Sequence, residues 1–145
     1  MTPLLDVNVL VALAWPNHVH HEKARHWFDS HHKEGWATCP LTESGFVRVS
    51  SNRRVLPEAR RPLEAILLLR ELTSLPGHSF WTDDISIARS ERVEAERLTG
   101  HGQVTDAHLV ALAVQNQGRL VTFDRGISQV IPQGLDPGDV LVLLA

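Results

Sequence analysis

The 145-residue chain has the length of one ordinary domain, and we expect residues 1–145 to form a single domain. Its 43% hydrophobic content and net charge of -3 exclude a disordered chain. No apolar run approaches the roughly 20 residues of a membrane-spanning helix. The single cysteine, Cys39, cannot form an internal disulfide. We therefore expect a cytoplasmic protein with no membrane partner, in which Cys39 is a buried and unreactive thiol.

Short apolar runs alternate with amphipathic segments in the first half of the sequence. The run PLLDV predicts a buried first strand, and VNVLVALAW predicts a short helix that ends at Pro16. Apolar positions at helical spacing predict a second helix over 18–32, and WATCP predicts the second strand. Two further helices are predicted over 41–51 and 58–74.

The same alternation continues in the second half. HSFW predicts a third strand, and residues 85–99 predict a helix. TDAHLVALAVQNQG predicts a helix that Thr105 caps and Gly118 stops. RLVTF and DVLVLL, the latter after a turn at LDPGD, predict the last two strands. Strands that alternate with helices predict an α/β fold with a mostly parallel sheet of four or five strands.

Acidic residues stand where such a fold gathers its working groups, beyond the carboxyl ends of the strands. Asp6 ends the first predicted strand, Asp124 follows RLVTF, and Asp106 opens the helix just upstream. Glu43 lies at the start of the helix over 41–51. Each acid alone has an ordinary explanation as a turn residue, a cap or a first-turn acid.

If these acids shared one pocket, they would need a counter-charge. Two carboxylates about 4 Å apart repel each other by roughly 4 kcal/mol at an effective dielectric constant near 20. Four in one pocket would have to share protons or bind cations. Hard oxygen ligands favour Mg²⁺ or Mn²⁺, and the sequence has neither a cysteine cluster nor an HExxH motif to favour Zn²⁺.

Four segments carry a family resemblance: LLDVNVLVAL, PLTESGFVRVSSN, FWTDD and GHGQVTDAHLVALAVQNQGRLVTFDRG. In this order they resemble the PIN-domain family, and more narrowly the VapC-type toxins of bacterial type II toxin–antitoxin pairs. The resemblance spans nearly the whole chain and implies a three-layer α/β/α domain. It also implies a set of acidic metal-binding positions with two polar supports, namely Asp6, Glu43, Asp106 and Asp124, supported by Asn8 and Thr105.

The resemblance implies a function as well. Similar proteins are Mg²⁺- or Mn²⁺-dependent endoribonucleases, in which metal-activated water hydrolyses RNA and leaves a 5′-phosphate and a 3′-hydroxyl. It further implies a homodimer and a cognate VapB-like antitoxin that inserts an arginine or lysine into the acidic pocket. The RNA target and the number of bound ions stay open.

A local excess of positive charge indicates where RNA could bind. Residues 48–70 contain six arginines and two glutamates, a net charge of +4 in a chain whose total is -3. We hypothesise that Arg48 and Arg53 contact substrate phosphate. The alternative is a surface or intersubunit salt bridge.

Other chemistry-bearing residues have simpler interpretations. The four tryptophans favour core or interface packing over stacking on bases, and Asp83 and Asp84 are interpreted as a strand-end turn with a minor metal or structural role. We expect His108 to point away from the acids. Five histidines bracket the helix over 18–32, and we expect them on its solvated face: His18, His20, His21, His31 and His32.

Two rival functions can be compared with the sequence. A phosphatase with Asp6 as its nucleophile would want an aspartate where Asn8 stands, and a lysine near Asp106. A non-catalytic binding module on the same scaffold would lack one of the acids, and none is missing.

Overall fold

The computed structural model describes residues 1–144, in which five strands form one sheet and every neighbouring pair is parallel. The strand order is β3-β2-β1-β4-β5, which puts β1 at the centre. The predicted α/β fold with a mostly parallel sheet is thus confirmed. The strands are β1 (Pro3–Leu5), β2 (Trp36–Thr38), β3 (His78–Phe80), β4 (Arg119–Thr122) and β5 (Leu141–Leu143).

Helices connect the strands and cover both faces of the sheet. None of the helices within residues 1–144 is long and apolar enough to cross a membrane. Short 3₁₀ turns occur at 32–34, 95–97, 101–103 and 125–130. The α-helices are α1 (Val7–Ala14), α2 (His21–His31), α3 (Pro40–Ser50), α4 (Pro62–Thr73), α5 (Val104–Gln115) and the short α6 (Pro137–Val140).

Two apolar cores lie on the two faces of the sheet, because successive side chains of a strand point in opposite directions. On one face, Leu4 and Leu120 belong to a buried cluster with residues of α5. On the other face, Leu5, Trp36 and Val121 pack with residues of α1, α2, α3 and α4. The arrangement gives the three layers that the family resemblance implies. Cys39 is fully buried, as predicted.

The prediction of a helix over 85–99 is wrong. This segment consists of turns and bends, with one 3₁₀ turn at Ala95–Arg97. Tertiary contacts override its helical propensity: Val93 and Leu98 pack against the core beneath α5, and Arg97 Nη1 donates a 2.7 Å hydrogen bond to the Ile131 carbonyl.

The ends of α5 also differ from the prediction. The helix begins at Val104 directly after a 3₁₀ turn, so Gln103 and not Thr105 occupies the N-cap. At the other end, Gln117 adopts the left-handed conformation (φ 57°), while the Gly118 amide donates to the Ala113 carbonyl at 2.8 Å. The predicted turn at LDPGD forms the start of α6.

One histidine that was expected on a solvated face is part of the interior. His21 is 9% exposed, and its Nδ1 lies 2.8 Å from the Ala12 carbonyl oxygen. This contact joins the start of α2 to α1, so the prediction for His21 is wrong. Among the tryptophans, Trp36 is fully buried in the core, as expected.

Gly118 makes a close approach that a side chain would block. A Cβ atom there would lie 2.3 Å from the Thr2 carbonyl oxygen and 2.7 Å from the Trp81 ring. We expect Gly118→Ala to lower the free energy of unfolding by about 1–3 kcal/mol, because the backbone must shift to relieve the overlap. Thermal unfolding followed by circular dichroism measures the effect.

Gly102→Ala is the matched control, since a Cβ at Gly102 meets nothing within 4 Å. We expect its unfolding temperature to stay close to that of the wild type. Equal destabilisation by the two variants would contradict the packing explanation.

Candidate metal centre

The pairing of β1 with β4 sets the position of two acids. Leu5 and Val121 are partners in the parallel register, and the Asp6 amide continues the ladder with a 2.9 Å hydrogen bond to the Val121 carbonyl. Asp6 and Asp124 therefore emerge at the same edge of the sheet. Asp106 reaches this edge from the first turn of α5.

These three aspartates line one cavity of about 590 Å³. Three of the other predicted residues, Asn8, Thr105 and Arg48, line the same cavity. The remaining wall is largely apolar and comes from α1, from the end of α3 and from the turns that follow α3: Val7, Val11, Val49, Val55 and Leu56. Asn17, His18 and Val19 complete the lining, and sequence reasoning did not assign them to the site.

A buried hydroxyl holds two of the aspartates in place. Thr122 Oγ1 donates to Asp6 Oδ2 at 2.7 Å, and it accepts from the Asp124 amide at 3.0 Å. The Val7 amide donates to the other Asp6 oxygen at 2.7 Å. Asn8 spans the same junction, since its Nδ2 donates to Thr122 Oγ1 at 3.2 Å and its Oδ1 accepts from the Phe123 amide at 3.2 Å.

Sequence reasoning missed Thr122. The available signal was a polar side chain at the end of an otherwise apolar strand, two residues before Asp124. Thr122 is fully buried, and a buried hydroxyl needs hydrogen-bond partners, which here are the groups of the site.

Burial, with a smaller contribution from mutual repulsion, shapes the electrostatics of the cavity. Burial raises the pKa of Asp6 above its ordinary range, with a smaller upward contribution from the charge of Asp124, and hydrogen bonds from Thr122 and Val7 oppose the rise. Burial, with repulsion from Asp6 and Asp124, raises the pKa of Asp106 to about 6. A cation among these groups would favour their charged forms.

Glu43 lies outside this cavity. Its Oε2 accepts a 2.6 Å hydrogen bond from Thr38 Oγ1, which in turn lies 2.8 Å from His78 Nε2. It lines an adjoining groove between α3 and α4, and Arg48 lines both the groove and the cavity. The structure thus brings together three of the four predicted acids and leaves Glu43 nearby, above β2.

The remaining candidates divide between the rim and the scaffold. Arg53 is exposed in a turn after α3 and does not line the cavity. His108 is not among the residues that line the cavity, and its Nε2 lies 2.6 Å from Asp83 Oδ2. Asp84 accepts from Gln115 at 2.7 Å, so both aspartates after β3 anchor this segment to α5.

The donor set limits the kind of ion that would fit. Within residues 1–144, no three His, Cys, Asp or Glu side chains are grouped closely enough to enclose one ion as they stand. Mg²⁺ is commonly held by one or two carboxylates and keeps several waters, so it needs no closed protein cage. Separated carboxylates around an open cavity fit that kind of site.

The fold and the match to a family model define the class of protein. The PIN domain model matches residues 4–131, and the chain belongs to the PIN domain family. VapC20 of Mycobacterium tuberculosis, a sarcin-ricin loop cleaving toxin, superposes with a TM-score of 0.62 at 13% identity, over 90% of this chain and 100% of that one. VapBC2 from Rickettsia felis, bound to a DNA fragment from its promoter, gives 0.61 at 10% identity, over 99% and 98%.

Sequence relatives narrow the class. Ribonuclease VapC39 of Mycobacterium tuberculosis is 50% identical over 135 residues, which cover 93% of this chain and 97% of that protein. Ribonuclease VapC38 of the same species is 49% identical over 130 residues, 90% of each chain. Ribonuclease VapC29 is 39% identical over 144 residues. The chain is therefore a VapC-type member of the PIN domain family.

The raised pKa of Asp106 predicts a pH-dependent stability. Its pKa of about 6 in the folded state exceeds the ordinary value of 3.8, so ionisation costs stability as the pH rises between these values. In metal-free protein at pH 7.5, we expect Asp106→Asn to raise the free energy of unfolding by about 1 kcal/mol, after allowance for solvent screening. The gain should vanish near pH 4.

Chemical denaturation at both pH values, in the presence of a chelator, measures this difference. Asp139→Asn is the control, because Asp139 is exposed and lies outside the cavity. An equal gain for Asp106→Asn at both pH values would exclude ionisation of Asp106 as its cause.

Proposed function

We propose that this chain is a metal-dependent endoribonuclease toxin of a VapBC-type pair. In this proposal residues 1–145 act as a single domain in the cytoplasm, and the substrate is RNA. The names of the relatives support the proposal, since they are called ribonucleases and are similar to this chain over about nine-tenths of its length or more.

The observation that carries the proposal is the set of three carboxylates around one cavity. Asp6 is 7% exposed, and burial, with repulsion from Asp6 and Asp124, raises the pKa of Asp106 to about 6, so negative charge is unfavourable in this cavity. A divalent cation would neutralise this negative charge. Asp6 and Asp106 are the proposed main ligands, with Asp124 beside them, and Mg²⁺ or Mn²⁺ is the proposed ion.

When bound, such an ion would polarise the phosphodiester and lower the pKa of a water for attack on phosphorus. The chain's own groups prepare the site. Thr122 fixes the orientation of Asp6, and Asn8 holds the start of the Asp124 turn through the Phe123 amide. Both ends of the Asn8 amide are engaged with this segment, which favours a supporting role over that of a phosphatase acid.

The residues at the edge of the cavity have further proposed roles. Glu43 acts from the adjoining groove, beyond the direct ligands, because it is bonded to Thr38. Thr105 is exposed at the start of α5, where it supports Asp106. Arg48, and more remotely Arg53, contact substrate phosphate.

Two protein partners belong to the proposal. A cognate antitoxin would insert an arginine or lysine among the aspartates while its apolar side chains contact the cavity walls, such as Val11 and Leu56. A homodimer is the proposed oligomeric state. Exposed apolar side chains on α4, Leu63 and Leu67 at 57% and 46% exposure, offer a surface for association.

The central test compares the wild type with Asp106→Asn. We expect the wild type to cleave single-stranded RNA with Mg²⁺ or Mn²⁺ and to stop when the metal is chelated. Loss of a direct ligand should reduce the rate by more than about a hundredfold, which is the largest loss usual for groups that only support a ligand.

The same pair of proteins can be compared in cells. Expression of the wild type should arrest growth, and expression of the variant should not. Co-expression of the cognate antitoxin should relieve the arrest. Undiminished cleavage by folded Asp106→Asn would overturn the proposal.

Glu43→Gln tests the proposed division between ligands and outer groups. Mg²⁺ affinity, measured by calorimetry, should fall less for Glu43→Gln than for Asp106→Asn, because Glu43 is bonded to Thr38 and lies outside the cavity. Equal losses of affinity would make Glu43 a direct ligand.

Arg48→Ala tests the contact with phosphate. We expect the slope of log affinity against log salt concentration to fall by about 0.7, the value for one phosphate contact on single-stranded RNA. Arg89→Ala is the control, since Arg89 is exposed outside the cavity. Indistinguishable slopes for Arg48→Ala and the wild type would contradict the contact.

A further inference from the structure

A second, smaller cavity adjoins the acid cavity. It has a volume of about 210 Å³, and its lining residues are Trp15, Asn17, His18, Leu56, Pro57 and Glu58. Three of them, Asn17, His18 and Leu56, also line the acid cavity. A ligand in the small cavity would therefore be next to whatever occupies the large one.

An indole ring with a fixed orientation forms part of its wall. Trp15 Nε1 donates a 3.0 Å hydrogen bond to Ser50 Oγ, and Ser50 is fully buried at the end of α3. Leu56 and Pro57 add apolar surface to the same cavity. A flat, oriented aromatic ring with apolar neighbours is the arrangement on which nucleobases stack.

The cavity also has a hydrogen-bonding edge. Asn17 Nδ2 donates to both carboxylate oxygens of Glu58, at 3.1 and 3.0 Å. Each of those oxygens keeps a second acceptor position. A base whose edge carries donors fits this carboxylate, and guanine presents both its ring N–H and its exocyclic amino group on one edge.

The small cavity has both acidic and cationic groups around it. The guanidinium carbon of Arg60 lies over the Trp15 ring, 6.0 Å from its centroid, and Arg48 lines the acid cavity. His18 lines the cavity as well, and burial, with a smaller effect of the nearby His20 and His21, lowers the pKa of its imidazole. The cationic groups suit the phosphates of a nucleotide, and the Glu58 carboxylate suits a base edge that carries hydrogen-bond donors.

We propose that the Trp15 cavity is a base-binding subsite, which takes one nucleobase next to the cleaved phosphodiester and favours guanine through Glu58. The subsite rests on the proposed ribonuclease function and adds to it a means of choosing where RNA is cut. Trp15 supplies the stacking surface, and the Asn17–Glu58 pair reads the edge of the base.

A double-mutant cycle between protein and RNA tests the stacking. The full-length Asp106→Asn protein is used, because this substitution is expected to prevent cleavage. We measure its affinity for a labelled eight-nucleotide single-stranded RNA and for a set of RNAs of the same sequence that each lack one base. We expect one guanine whose removal weakens binding about tenfold, the usual order for stacking on an aromatic side chain. Adding Trp15→Leu should weaken binding of the intact RNA by a similar factor and abolish the effect of removing that base.

Trp27→Leu is the matched control for the cycle. Trp27 is also a partly buried tryptophan, but it stacks on His31 and lines a separate groove with Leu143 and Leu144. The Trp27→Leu substitution should leave unchanged the affinities for the intact RNA and for the RNAs that lack a base. Base-removal effects of the same size with and without Trp15→Leu would overturn the subsite.

A second measurement does not depend on the fold of the Trp15 variant. In ¹⁵N-labelled wild-type protein, the Trp15 indole N–H resonance should shift on titration with guanosine 5′-monophosphate and stay unchanged with ribose 5-phosphate. Glu58→Gln should reduce the response to guanosine 5′-monophosphate to that seen with adenosine 5′-monophosphate. Equal responses to guanosine 5′-monophosphate and ribose 5-phosphate would overturn base binding.

The two proposals fail in different ways. Wild-type protein that does not cleave RNA with either metal ion would overturn the ribonuclease function and, with it, the role of the subsite. Metal-dependent cleavage, together with a double-mutant cycle in which Trp15→Leu and base removal act independently, would overturn the subsite alone.

Discussion

Parallel pairing of β1 with β4 is the constraint on which the rest of the site depends. It brings Asp6 and the turn that carries Asp124 to one edge of the sheet, although they are 118 residues apart and their carboxylates repel each other. The apolar ladder beneath, with Leu5 and Val121 fully buried, supplies the stability that holds the charges together. The Thr122 hydroxyl then bonds both to the Asp6 carboxylate and to the Asp124 amide, and these hydrogen bonds oppose the repulsion between the two carboxylates.

The lining of the cavity combines three carboxylates with one arginine, Arg48. In the proposed function, the carboxylates alone would repel RNA, so that a bound cation and nearby positive charge would both be needed. Positive charge is concentrated in one part of the chain, since Arg48 lies in α3, and Arg53, Arg54, Arg60 and Arg61 follow before α4 begins. Because the turns before α4 also carry Leu56 and Glu58, the segment that is proposed to contact the RNA backbone also forms a wall of the adjoining small cavity.

The placement of Glu43 shows how packing sets the phase of a helix. Thr42 and Phe46 are fully buried, and a Cβ at Gly45 would lie 2.6 Å from a methyl group of Val7, so α3 fits against α1 in one rotation. That rotation leaves Glu43 above Thr38, in the groove beside the cavity. The sequence indicates an acid on this helix, but the direction in which Glu43 points depends on how α3 packs against α1.

The sequence by itself determined the five strands, most of the helices and the sheet edge at which the aspartates lie, because these follow from local periodicity and from the rule that parallel strands share a carboxyl edge. Family resemblance added the order and the chemistry of the acids. Only the tertiary structure decided that Thr122 holds Asp6, that Glu43 stands apart, that residues 85–99 are not helical and that Trp15 lines a second cavity. Each of these features depends on contacts between residues far apart in the chain or on the rotation of a packed helix, and neither quantity is encoded in a local pattern.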